Sequence, residues 1–283
     1  MSNWPLSLRL LQVYPKKLAS RFACWVASLT IPRSARNAIL GGFARRYHID
    51  LNESEFPVED YTSLQAFFTR RLKAGVRPQD SLLPGAVNSP VDSRILAYGR
   101  IEADTAIQAK GLPYHVSELL KQDAARFEGG HFMTLYLSPR EYHLIHVPCE
   151  GQVVAVGRVE GELWPVYEAS IKNIPRLYER NRRAIWLAEG QGADEGLDVA
   201  CVLVGATHVG AVLINERWLG GQALPKTGGF PVANLPCQPG DDLGTFQFGS
   251  TVVLLVGGPK AKDWEPARTE GMVKVGQRLG TIR

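Results

Sequence analysis

The chain predicts an α+β fold, with N-terminal helices followed by a mainly antiparallel, β-rich core. Three observations carry that expectation. Apolar residues near the N-terminus recur at helical spacing, as at Leu18, Phe22, Trp25 and Leu29. Beyond Pro90 they gather in short, β-branched runs separated by turn residues. The whole, 283 residues with 45% hydrophobic and 21% charged, is long enough to bury a substantial core.

Helices are expected over Leu18 to Leu29, over Ser34 to Tyr47 with Pro32 ahead of it, and over Ser63 to Lys73. A stretch rich in proline and glycine, Arg77 to Pro90, leads into the strands. These include Met133 to Leu137, Val153 to Val156, Val199 to Val204 and Val209 to Ile214, with a helical insertion near Ser117 to Arg126. Leu219 to Gly244 is loop-like; it lacks the Lys-Ser/Thr ending of a phosphate loop, so nucleotide binding is not supported and no nucleic-acid partner is expected. The final run, Met272 to Ile282, is expected to close the sheet. The division expected is a helical part, 1–75, and a β-rich catalytic core, 76–283.

Charge is unevenly spread. Arg9, Lys16, Lys17, Arg21, Arg33, Arg36, Arg45 and Arg46 stand in the first 49 residues with no acid among them, although the net charge is only +4. Interleaved with apolar residues, these bases make an amphipathic segment that suits either the surface of an anionic membrane or packing on the core with the bases in solvent. Its longest apolar stretch, Phe22 to Ile31, is well short of the roughly 20 residues needed to cross a bilayer. Cys24, Cys149, Cys201 and Cys237 have neither paired nor metal-like spacing, which fits a reducing compartment and argues against a disulfide framework.

The chemistry centres on Phe248-Gly249-Ser250-Thr251, in a strand-like run near the C-terminus. Gly249 has no side chain to block an approach, so the Ser250 hydroxyl can turn back onto the Gly249 carbonyl. An N-to-O acyl shift and elimination across the serine would then leave a pyruvoyl group, a ketone able to form a Schiff base with a substrate amine and act as an electron sink. Taken alone, Gly-Ser-Thr is weak evidence and fits an ordinary bend or bulge in a sheet better. A serine hydroxyl also needs a base, and histidine, with a pKa of about 6.5, is the usual one. His143 and His146 lie in the run Ser138 to Gly151, and Asp92 is a candidate to orient an imidazole. Three residues apart, the histidines would share a helix face but oppose each other on a strand, so spacing alone does not give them a common site. No third metal ligand stands at a recognisable spacing, and no metal is expected. The isolated His48, His115, His131 and His208 are read as structural.

Together these segments resemble the phosphatidylserine decarboxylases of the bacterial and mitochondrial, pyruvoyl-dependent type. Ser138 to Gly151 is similar to that family's Ser-Pro-Arg-acidic-Tyr-His-x-x-His-x-Pro-x-x-Gly motif, and residues 248–251 to its Leu-Gly-Ser-Thr processing site. Phe67-Phe68-Thr69-Arg70-Arg71-Leu72, Val76-Arg77-Pro78, Lys110-Gly111-Leu112-Pro113-Tyr114 and Val204-Gly205-Ala206-Thr207 extend the resemblance along the chain. It implies a proenzyme that cuts itself between Gly249 and Ser250 into a large chain, 1–249, and a small one, 250–283, which stay associated. Ser250 would become the pyruvoyl cofactor, with His146 as general base in the cut, Asp92 orienting that base and His143 handling substrate or protonation. Phe248 replaces the commoner leucine, and Ser93 follows Asp92 where glycine is frequent. The substrate implied is phosphatidylserine and the product phosphatidylethanolamine, at the cytoplasmic face of a bacterial inner membrane. Two rivals stand beside it: an uncleaved serine hydrolase using Ser250, His146 and Asp92, against which the missing Gly-x-Ser-x-Gly elbow counts, and a non-catalytic membrane-binding β module.

Overall fold

A computed structural model describes residues 5–80, 83, 85–108, 111–207, 212–221, 234–247 and 250–282. The class is α+β, as expected: most helical residues come first and an antiparallel sheet system follows.

Helices α1 (Leu6–Val13), α2 (Lys16–Ser28) and α3 (Arg33–Tyr47) each start directly after a proline, Pro5, Pro15 and Pro32. The fixed φ of proline is compatible with a helix entrance, and its missing N–H is one that a first turn leaves unpaired anyway. Helix α3 ends where His48 turns left-handed and its N–H closes on the carbonyls of Ala44 and Arg45. Helix α4 (Leu64–Phe68) is capped by the Ser63 hydroxyl, which accepts from the Ala66 N–H at 3.1 Å. It stops at Phe68, five residues before the expected end. The chain beyond it is drawn out because Arg71 O accepts from Glu55 N and Lys73 N donates to Glu53 O. Helix α1 was not expected, nor were the short α6 (Glu168–Asn173) and α7 (Leu177–Arg180). The helical insertion is shorter than expected, with α5 at Val116–Leu120 and a single 3₁₀ turn at Ala125–Phe127.

Eight antiparallel strands form the main sheet, in the spatial order Leu235–Cys237, Gly151–Val159, Arg183–Gly190, Asp198–Val204, Thr251–Gly257, His131–Tyr136, Ser93–Arg100 and Gly271–Val273. Pro236 sits on an edge strand, where a missing N–H leaves no rung of a central ladder broken. Both faces are covered. Val252, Leu254 and Val256 pack with Trp186, Trp218 and Trp264 on one side; Val253 and Leu255 pack with Phe132, Tyr114 and Tyr178 on the other. Burial on both sides explains why the run 252–256 is apolar throughout instead of alternating.

The C-terminal run is not one closing strand. Gly271–Val273 pairs with the sheet edge at Ser93–Ile95, whereas Arg278–Ile282 lies between Val87–Asn88 and Trp264–Pro266 in a separate three-stranded sheet. Gly276 makes the bend between them with φ +84°, and a Cβ there would come 2.2 Å from the Pro78 carbonyl oxygen. Of the expected strand Val209 to Ile214, Val212–Ile214 is present in a small sheet with Asp242–Phe246 and Leu144–His146, and the rest lies outside the described residues. The loop-like stretch from Leu219 contains the edge strand Leu235–Cys237.

Leu254→Ala should lower the unfolding free energy by about 2–5 kcal/mol, since it deletes a fully buried side chain from the central strand. Ile107→Ala, at a half-exposed hairpin position, should change it by less than about 0.5 kcal/mol. Chemical denaturation of the two variants measures both.

Candidate active site

Ser250 precedes the central strand, and its carbonyl accepts from Leu137 N at 2.9 Å, continuing the ladder by one rung. The residue is fully buried, and its Oγ has no hydrogen-bond partner among the described residues. Phe248 and Gly249, the other half of the expected cleavage site, lie outside the described residues. Tyr136, which pairs with Thr251, lies in the wall of a cavity of about 1050 Å³ that Arg94, Tyr98, Ile171 and Gly271 also line.

The histidines come from one strand and its entrance but face different surroundings. His143 is fully buried and its carbonyl accepts from Phe246 N at 3.1 Å, which ties it to the chain four residues before Ser250. Its ring lies 4.0 Å, centroid to centroid, from that of Phe68. Nδ1 stands 2.8 Å from Glu141 O, and because a carbonyl only accepts, Nδ1 carries the proton. Nε2 is therefore a bare acceptor, buried and without a partner among the described residues. Burial in this apolar pocket pushes the imidazole pKa down to about 3, and the nearby Arg70 charge adds to the fall. His143 is neutral at any ordinary working pH.

His146 donates through Nδ1 to Gly240 O at 2.9 Å, so its Nε2 accepts from the Tyr142 hydroxyl at 3.2 Å, with the two rings stacked. Burial lowers its pKa too, opposed by the Gly240 hydrogen bond and by the negative charges of Asp242 and Asp92. Asp242 Oδ1 stands 3.6 Å from Nδ1, and its other oxygen is paired with Arg71.

Asp92 is not hydrogen-bonded to either histidine. Its turn touches the histidine strand through His146 N, which donates to Pro90 O at 2.9 Å. The carboxylate itself receives Arg77 Nε at 2.9 Å and Nη2 at 2.5 Å, together with Val275 N at 2.8 Å. Arg77 also reaches Glu53, which Lys274 holds from the other side at 3.1 Å. The Arg77 hydrogen bond keeps the Glu53 carboxyl below the ordinary glutamate range. Sequence reasoning missed Arg77, Tyr142 and Asp242 as parts of this site. Tyr142 stands inside the histidine motif, but the partners of Arg77 and Asp242 are remote in sequence and left no local signal.

Outside this group, His131 is locked by Tyr98 and Arg100, and burial takes its pKa down to about 4. His115 lies 3.9 Å from Asp104, and His208 is outside the described residues. Among the described residues, no three His, Cys, Asp or Glu side chains are grouped to hold a metal ion.

Residues 64–281 match the family model described as phosphatidylserine decarboxylase. The chain belongs to the phosphatidylserine decarboxylase family. A phosphatidylserine decarboxylase proenzyme from Myxococcus xanthus is 34% identical over 284 residues, covering 97% of this chain and 98% of the relative. One from Coxiella burnetii is 37% identical over 279 residues, 95% of each chain, and one from an Anaeromyxobacter species is 38% identical over 290 residues, 98% of this chain and 99% of the relative. The family model begins at α4 and takes in the whole sheet system with Ser250, His143, His146 and Asp92; the full-length likenesses extend over the basic N-terminal helices as well.

Arg77→Met should destabilise the protein by about 3–5 kcal/mol, because it strands the buried Asp92 carboxylate without its counter-charge. The variant should also lose part of its acid sensitivity. The folded Glu53 pKa lies below the unfolded value of about 4.3, so the Arg77–Glu53 contribution is complete above that value and fades as pH falls through the folded one. Denaturation midpoints between pH 3 and pH 7, compared for the two proteins, test both statements.

Proposed function

We propose that the chain is a self-processing phosphatidylserine decarboxylase whose Ser250 is consumed once to make a pyruvoyl group. The observation that carries this reading is the buried Ser250 hydroxyl with no partner among the described residues, at the start of a strand laddered on both sides, in a family whose relatives are proenzymes. Oγ attacks the Gly249 carbonyl, the peptide becomes an ester, and loss of the Ser250 α-proton expels the Gly249 carboxylate. The dehydroalanine left behind takes up water and releases ammonia, so the small chain begins with a ketone. That ketone supplies the electron sink for loss of carbon dioxide from an amino acid headgroup.

The residues around it divide the remaining work. His146 takes the Ser250 proton, which requires its Nε2 to exchange the Tyr142 hydroxyl for Oγ. Asp92 supports that imidazole through its charge, one of those opposing the effect of burial on His146. The neutral Nε2 of His143 handles the substrate and moves the proton in turnover. An uncleaved hydrolase is not favoured, because the relatives that the chain resembles over nearly its whole length are proenzymes. A non-catalytic module leaves the buried histidines unexplained.

The first two helices give the substrate's setting. Leu10, Val13, Leu18, Phe22 and Trp25 are exposed beside Arg9, Lys17 and Arg21, and no helix among the described residues is long and apolar enough to cross a membrane. We read this face as lying in the surface of an anionic membrane, on the cytoplasmic side of a bacterial inner membrane.

Denaturing electrophoresis of the wild type should show a large fragment and a small one whose N-terminus is blocked to sequencing, with mass spectrometry reporting pyruvoyl in place of serine. Ser250→Ala should stay as one band; an intact wild-type chain with full decarboxylase activity would refute the pyruvoyl reading. For the membrane face, the double variant Phe22→Ser, Trp25→Ser should be cut normally yet bind phosphatidylglycerol-containing vesicles at least about 10-fold more weakly, since each ring buried in lipid contributes about 1.5–3 kcal/mol. Cosedimentation measures that ratio.

A further inference from the structure

Arg70 follows Phe67, Phe68 and Thr69 in the stretch leaving α4, and it is only 4% exposed. Its guanidinium lies 5.4 Å from the centre of the Phe67 ring, and its Nε and Nη1 are buried with no hydrogen-bond partner among the described residues. The carboxylates whose charge reaches it, Asp92 and Glu53, are already engaged. Arg77 and Val275 N hold the first, and Arg77 and Lys274 hold the second. The other side chains that feel its charge are the phenols Tyr61 and Tyr142 and the imidazole of His143. A buried cation with unsatisfied donors is expensive, and a protein that needed it only for packing would do better with an apolar side chain.

The structure assigns Arg70 as an anion-binding residue of the active site, and we propose that its ligand is the phosphodiester of the lipid headgroup. This rests on the decarboxylase reading above. A planar guanidinium matches a phosphate or a carboxylate with two parallel hydrogen bonds, and phosphatidylserine carries both. The phosphodiester is favoured by the direction of charge flow. The substrate carboxylate leaves as neutral carbon dioxide, so a guanidinium on it would bind the ground state more tightly than the transition state and slow the reaction. The phosphodiester keeps its charge throughout, so a cation there anchors the headgroup without opposing the chemical step. Arg70 also follows by two residues Phe68, whose ring lies 4.0 Å from that of His143, the neutral imidazole that the reading assigns to the substrate.

The test uses the processed enzyme with a short-chain phosphatidylserine as substrate and a short-chain phosphatidylglycerol, which has the phosphodiester but neither amine nor carboxylate, as inhibitor. A wild type that is neither cut nor active would sink the decarboxylase reading itself. With that in hand, Arg70→Gln should still yield both fragments, while KM rises at least about 10-fold and kcat stays within about threefold. The inhibition constant for phosphatidylglycerol should rise by a comparable factor, and Arg70→Lys should recover part of both. Unchanged KM and inhibition with only a lower melting temperature would make Arg70 a packing residue and overturn the proposal. A raised KM with unchanged phosphatidylglycerol inhibition would move the guanidinium to the carboxylate and overturn it equally. Should Arg70→Gln not fold, the same two constants are read on Arg70→Lys, where no change in either counts against the assignment.

Discussion

The structure depends on the two-sided ladder of Thr251–Gly257. This strand is paired along its length with Asp198–Val204 on one edge and with His131–Tyr136 on the other, and its side chains enter both apolar clusters. A strand held in that way cannot slip by one residue without exchanging its two sets of buried side chains. The same constraint fixes Ser250, whose carbonyl makes the next rung with Leu137 N. In the proposed processing the bond broken is at the entrance of this strand, and the small chain that results contributes the centre of the main sheet. The cut therefore removes one covalent link and leaves the inter-strand hydrogen bonds in place. Sheet pairing keeps the new N-terminus where the serine stood.

A second constraint runs through Arg77. It joins Glu53, in the helical part, to Asp92, on the turn that touches the histidine strand, and Val275 N adds a contact from beyond the central strand. Arg77 and Val275 N thus meet on the Asp92 carboxylate, and Arg77 carries the link on to Glu53. Two carboxylates on Arg77 alone would leave one charge uncompensated, and Lys274, 3.1 Å from Glu53, supplies the second cation where an isolated charge would be costly. The arrangement also sets the electrostatics of the histidines. Asp92 acts on His146 by its field, not by a hydrogen bond, while Arg70, which has no ion-pair partner among the described residues, adds its positive charge to the surroundings of His143.

Those particulars show what the amino-acid sequence makes legible. The fold class and most long elements were readable because they rest on local signals: a proline ahead of α3, the Ser63 cap of α4, and apolar runs such as Val199 to Val204. The errors came where a remote partner decides. Helix α4 stops early because residues 71–73 pair with 53–55, and the C-terminal run divides because Gly276 must bend against Pro78. Ser250, His143, His146 and Asp92 were legible as residue types in recognisable runs. That Arg77 holds Asp92, and Tyr142 the basic nitrogen of His146, depends on tertiary contacts that no local pattern encodes.

The two imidazoles differ in the one property that matters for proton transfer. Both have the proton on Nδ1, fixed by a backbone carbonyl, so both present Nε2 as the acceptor. On His146 that nitrogen is occupied by a phenol and flanked by carboxylates that favour its protonated form. On His143 it is buried, without a partner among the described residues, and in the field of a cation that disfavours protonation. A base that must hold a serine proton through several steps is better served by the first environment, where neighbouring carboxylates offset part of the cost of burying an imidazolium. A group that takes up and returns a proton within each turnover is served by the second, where the charged form is short-lived. With the tautomer shared, neighbouring charge and the occupancy of Nε2 are what distinguish, in the proposed division of work, two histidines that sequence spacing left equivalent.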